Sequence, residues 1–165
     1  MTAMSIGEGF AGAGADAAHV NTVLGPREGP VGVAWATALA TPSAGHAPFM
    51  VIAAPNLPVK PMTLFVNKAT IASEQHATLT WGPAQAGVAS GVIAAVRTGV
   101  LEPAEADQLV LIAAVWVNPD ATEADAVYAN NEAATLAALS AGRDGLPTIG
   151  DLLAAQRPYN AYYLP

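Results

Sequence analysis

Nine consecutive apolar residues at positions 109–117 (LVLIAAVWV) constrain this chain more than any other stretch. Side chains along a strand alternate between two faces, so a run that is apolar at every position needs cover on both sides. That is the pattern of a buried central strand. The run is also the longest uninterrupted apolar stretch in the chain, and it falls far short of the roughly 20 residues a membrane-spanning helix needs. The opening residues, MTAMSIGEGF, carry neither the basic nor the apolar region of a secretory leader. A soluble, cytoplasmic protein with no membrane association is the expectation.

The remaining segments supply partners for that strand. Residues 5–11 and 18–24 read as a hairpin of two strands joined by the Gly- and Ala-rich turn at 12–16. After Gly29-Pro30, the positions Val31, Trp35, Ala38 and Leu39 fall on one side of a helix ending near residue 40. Residues 49–53 form a short strand, and 55–61, with three prolines in seven residues, an extended loop. Residues 63–71 read as a further strand, with Val66, Lys68 and Thr70 on one face. Ser73 caps a short helix towards Trp81, and a longer helix runs from Pro83 to Gly99, where Gly87 and Gly91 permit close approach of a neighbour. Residues 102–107 make an acidic turn or a short helix start, residues 122–125 resemble a capping signature, and residues 131–141 supply an alanine-rich helix. Strands and helices alternate without βαβ regularity, so the fold class is α+β, a mixed or mainly antiparallel sheet backed by helices. The reading is one domain over residues 1–145 and an irregular, peripheral tail over 146–165, marked by Pro147, Pro158 and Pro165.

Charge decides which function classes survive. With 6 Lys+Arg against 13 Asp+Glu the net charge is −7, and charged residues make up only 12%. An acidic balance without basic clusters argues against nucleic acid as a partner. The absence of Cys rules out disulfides without fixing a redox compartment. The low charge and the 38 alanines mean either unusual burial or surface covered by other subunits.

The chemical candidates are few. His19, His46 and His76 are far apart in sequence, so no metal site is expected. His46, in a Gly/Pro loop, reads as solvated and His76 as structural. His19 lies at a strand edge beside a Gly-rich turn, with Asn21 two residues on and therefore facing the same side; its role is either structural or catalytic. Lys68 is either an edge-strand lysine extending its charge to water or a cation aimed into a pocket with Thr70. Gln85 either points its amide at a ligand or is solvated. Gly7-Glu8-Gly9 lacks the strand and helix context of a phosphate loop.

Several strings, in order, resemble the formaldehyde-activating enzyme family, the tetrahydromethanopterin hydro-lyases. They are Gly7-Glu8, Ala18-His19-Val20, Gly25-Pro26-Arg27, the loop APNLPVKP at 54–61, NKATI at 67–71, GPAQAGVA at 82–89 and PAEAD at 103–107. The resemblance covers about residues 5–142. It implies a fold similar to the second domain of ribosomal protein S5, with a left-handed β-α-β arrangement, and ring-shaped homopentamers with active sites between subunits. It implies His19 as catalytic acid, and Lys68, Thr70 and Gln85 as pterin contacts. Two positions depart from the family pattern: its Asp is Asn21 here, and a pterin-contacting Leu is Met50.

What the resemblance implies chemically is a condensation with no bound cofactor and with tetrahydromethanopterin as co-substrate. A pterin amine adds to formaldehyde, the carbinolamine hydroxyl leaves as water once protonated, and a second nitrogen traps the iminium. A histidine near neutrality suits that proton transfer. An Asp beside His19 would raise its pKa, whereas Asn21 supplies no charge. The leading expectation is therefore a lyase acting on formaldehyde and a pterin. The alternatives are a non-catalytic paralogue that binds formaldehyde or a pterin as sensor or buffer, and a subunit kept for assembly.

Overall fold

The computed structural model describes residues 4–161 and 163; residues 1–3 and Pro165, on which the leader and tail readings partly rest, lie outside them. The apolar run forms β7 (Leu109–Trp116) at the centre of a five-stranded sheet. On one side of it lie β2 (Ala18–Pro26) and then β1 (Ser5–Ala11), all antiparallel. On the other lie β6 (Met62–Asn67), parallel to β7, and β3 (Phe49–Met50) at the far edge. The sheet is therefore mixed and backed by helices, as the α+β reading expects. The expected strand at 49–53 divides around Val51, and β4 (Ile52–Ala54) turns away to pair with β5 (Leu57–Pro58) in the proline-rich loop.

Helix α1 (Pro30–Ala40) lies over one end of one face of the sheet, where Val31 sits against Gly25 of β2. Helices α2 (Glu74–Leu79), α3 (Gln85–Arg97) and α4 (Ala124–Asp144) cover the other face, the side of Val20 and Leu24. The Ser73 hydroxyl accepts from the His76 amide at 3.0 Å, the expected N-cap. There is no break before Pro83. Thr80–Ala84 form a single π turn that carries the helix past the proline, which has no N–H to give. α4 starts earlier than the sequence suggests, at Ala124, because Asp16 Oδ1 accepts from the amides of Thr122 and Glu123 and holds its first turn.

Small residues set the spacing within the helical side. A Cβ at Gly7 would sit 1.8 Å from the Ala138 carbonyl oxygen, and one at Gly9 2.1 Å from that of Ala134. Glycine thus lets β1 lie directly on α4. Gly87 and Gly91 do the same for α3: their Cβ positions would meet Tyr128 O at 2.3 Å and Thr135 Cβ at 2.6 Å. The close approach expected of that pair is therefore made within the chain, to α4. Core side chains Val20, Phe65, Val88, Val92, Leu111 and Val115 fill the space between sheet and helices.

The α1 stripe is the covered side of its helix, laid on β2 and β7: Val31 is buried, Trp35 and Ala38 are half-buried, and only Leu39, at the end, is exposed. One expectation fails here. The tail is not wholly irregular: Thr148 and Asp151 form a capping box that starts α5 (Ile149–Ala154), a helix whose Ile149, Leu152 and Leu153 face solvent. No helix among the described residues is long and apolar enough to cross a membrane.

Candidate functional site

The sheet face opposite α2, α3 and α4 is covered by α1 only at its Gly25–Val110 end, and strand alternation decides what the open remainder carries. In β1, Gly7 and Gly9 point to α4, so Glu8 and Phe10 point the other way. Glu8 pairs with Asn21 and Phe10 with His19 across the hairpin; Asn21 pairs on with Ala114, and His19 with Trp116. Beyond β7, Ala114 pairs with Val66, and the Lys68 amide donates to the Val115 carbonyl at 2.8 Å. Lys68 thus follows the end of β6 rather than lying mid-strand, and the small Ala114 leaves room for its side chain to cross to β2.

Four polar side chains meet there. The Lys68 ammonium donates to Asn21 Oδ1 at 2.8 Å and lies 3.2 Å from His19 Nδ1. His19 Nε2 lies 3.0 Å from Glu8 Oε1. An ammonium has only protons to offer, so Nδ1 is the acceptor and the ring proton sits on Nε2, donated to Glu8. Burial, and after it the Lys68 charge, holds the His19 pKa below the ordinary imidazole value, with Glu8 pulling the other way. Burial likewise lowers the Lys68 pKa, opposed by Glu8. His19 opens onto a cavity of about 750 Å³ walled by Phe10, Trp116 and tail residues Tyr159–Ala161, with Glu8 at its edge.

The other expected site residues lie elsewhere. Met50 and Gln85 line a second cavity, of about 350 Å³, with Phe49, Ile52 and Trp81. Gln85, the first residue of α3, accepts the Ile52 amide at 2.6 Å on its side-chain oxygen, fixing β4 against the helix. No residue lines both cavities. Thr70 does not join Lys68. Its hydroxyl meets His46 Nε2 at 3.0 Å, while His46 Nδ1 donates to the Asn67 carbonyl at 2.9 Å. His46 is therefore tethered at both nitrogens rather than solvated. His76 is structural as expected: buried, it accepts from the Ala72 amide at Nδ1 and donates from Nε2 to the Val117 carbonyl. Among the described residues, no three His, Asp or Glu side chains gather in a metal-binding group.

Sequence reasoning gave Glu8 no role of its own: Gly7-Glu8 counts among the family strings, and Gly7-Glu8-Gly9 otherwise reads only as lacking phosphate-loop context. The available signal was parity: a carboxylate between two glycines, facing the same side as His19 once the hairpin register is set.

The family model described as Formaldehyde-activating enzyme (Fae) matches residues 6–163. The chain is 41% identical over 155 residues to a 5,6,7,8-tetrahydromethanopterin hydro-lyase of Methanosarcina barkeri, covering 94% of this chain and 87% of that protein. It is 42% identical over 150 residues to a bifunctional enzyme Fae/Hps of Methanococcoides burtonii, and 38% identical over 148 residues to one of Archaeoglobus fulgidus. These alignments cover 91% and 90% of this chain, which spans 38% of the length of each bifunctional relative.

Proposed function

The chain belongs to the formaldehyde-activating enzyme family, and on that premise we propose that it condenses formaldehyde with tetrahydromethanopterin, or a related one-carbon carrier, to the methylene derivative and water. It is a lyase of the hydro-lyase type, working in the cytoplasm with the pterin as co-substrate and no bound cofactor. The observation that carries the reading is His19 held between a carboxylate and an amine at the mouth of a cavity. An imidazole with an anion at Nε2 and room beside it is equipped to protonate a carbinolamine hydroxyl, so that water leaves and the iminium forms. Orienting the two reactants supplies much of the remaining gain.

Asn21, Met50, Lys68, Thr70 and Gln85 contact the pterin in this reading. Met50 and Gln85 line one cavity and His19 another, which supports a site completed by a second copy, as in a homopentamer. The experiment is the rate of methylene-pterin formation above the spontaneous reaction, for wild type and His19→Ala, with light scattering for the assembly. Asn21 favours one alternative, a paralogue that binds formaldehyde or pterin without turnover. Wild type no faster than buffer selects that alternative, and a monomer at micromolar concentration removes the shared site.

A further inference from the structure

The chain has only two lysines, and they are held in opposite ways. Lys60 is exposed and paired with the carboxylate of Asp107. Lys68 is half-buried, lies beyond ion-pair distance of any described carboxylate, and gives its hydrogen bonds to two uncharged acceptors, Asn21 Oδ1 and His19 Nδ1. A lysine kept for solubility extends its charge into water; this one turns inward across the sheet. A nucleophile within hydrogen-bond reach of a base, the base oriented by a third group, is the arrangement of an activated nucleophile. Here the three are Lys68, His19 and Glu8.

We propose that Lys68 captures formaldehyde covalently, as a methylene iminium on Nζ, through a Glu8–His19–Lys68 relay, before the carbon passes to the carrier amine. The inference rests on the reading that this site handles formaldehyde. The ammonium first gives a proton to His19 Nδ1, and Glu8 steadies the imidazolium at Nε2. The freed Nζ lone pair attacks the carbonyl carbon, a C–N bond forms, and the oxygen takes a proton from Nζ to give the carbinolamine. His19 returns its Nδ1 proton to the hydroxyl, the C–O bond breaks, and water leaves as the nitrogen pair closes C=N. In sum, ammonium plus formaldehyde gives methylene iminium plus water, with no change in proton count and no oxidant. A carrier amine then adds to the CH2, its proton moves to Nζ, and the C–Nζ bond breaks to release the lysine.

Asn21 takes on a purpose in this scheme. A carboxylate there would pair with Nζ and hold it as ammonium, whereas the amide oxygen orients Nζ without adding charge.

The test needs no pterin. The full chain is treated with formaldehyde at neutral pH, reduced with cyanoborohydride, and mapped by peptide mass for methylation at each lysine. Lys68 is expected to label about tenfold faster than the more exposed Lys60, because a base stands within reach of its Nζ. Lys60 labelling as fast or faster overturns the proposal. Asn21→Asp is expected to slow Lys68 labelling about tenfold by restoring an ion pair; an unchanged rate overturns it. Lys68→Arg separates this role from a pterin contact: loss in kcat is expected, while a rise in KM alone overturns the nucleophile. Labelling at Lys68 without methylene-pterin formation supports the capture and defeats the condensation reading. Full turnover by Lys68→Arg does the reverse.

Discussion

The two faces of the sheet are built from the same strands and obey different rules. On the helical face Gly7 and Gly9 lie against the Ala138 and Ala134 carbonyls, and Val20, Leu111 and Val115 are fully buried. On the open face, one residue along each strand, are Glu8, His19, Asn21 and Trp116, none of them fully covered. The difference shows how a small domain separates stability from chemistry at a spacing of one residue. Parity assigns each side chain to one task, so a change at position n and a change at n+1 should be read by different instruments.

The largest effect should come from the open face. His19→Ala is expected to lower methylene-pterin formation about 10²–10⁴-fold, the range for a general acid, while leaving the melting temperature close to wild type. The mirror-image change is Gly9→Val, which forces a side chain into α4; it should cost about 3 kcal/mol or more, read by urea unfolding. Phe10→Ala, one residue on and about half exposed, should cost under about 1 kcal/mol. If Gly9→Val were tolerated as well as Phe10→Ala, the division by parity would fall. His76→Phe removes the partner of the Ala72 amide and of the buried Val117 carbonyl, and about 2 kcal/mol should be lost, with little effect on the chemistry at His19.

The smallest effect is a pH slope. Because the folded-state pKa of His19 is lowered, the unfolded chain binds its proton first as pH falls. Stability from this group is complete above the ordinary imidazole value of about 6.5 and is lost as pH drops from there to the folded-state value. Thermal unfolding should therefore show a shallow decline across that window, absent in His19→Ala. A slope of opposite sign in wild type would mean that Glu8 outweighs burial and Lys68.

The sequence was informative where a single segment decides its own fate. Residues 109–117 announce a central strand because every position is apolar, and Ser73 announces a helix start because its hydroxyl has one local use. What stayed hidden depends on segments far apart. Glu8 meets His19 only once the hairpin register is set, and Lys68 reaches Asn21 only because β7 lies between them with alanine at the crossing point. Thr70 looked like a companion of Lys68 by alternation, but β6 ends at Asn67, and alternation lapses where the strand does. Gly87 and Gly91 were legible as a contact, yet nothing in their spacing distinguishes another subunit from α4.

The π turn at Thr80–Ala84 also acts as a phase adjuster. On one side of it His76 must face Val117, and on the other Gly87 and Gly91 must face α4. The turn closes its hydrogen bonds one residue further on than an α-helix does, so it absorbs an extra residue and hands the helix on nearly in phase. One helix can therefore pass Pro83 and still keep both appointments.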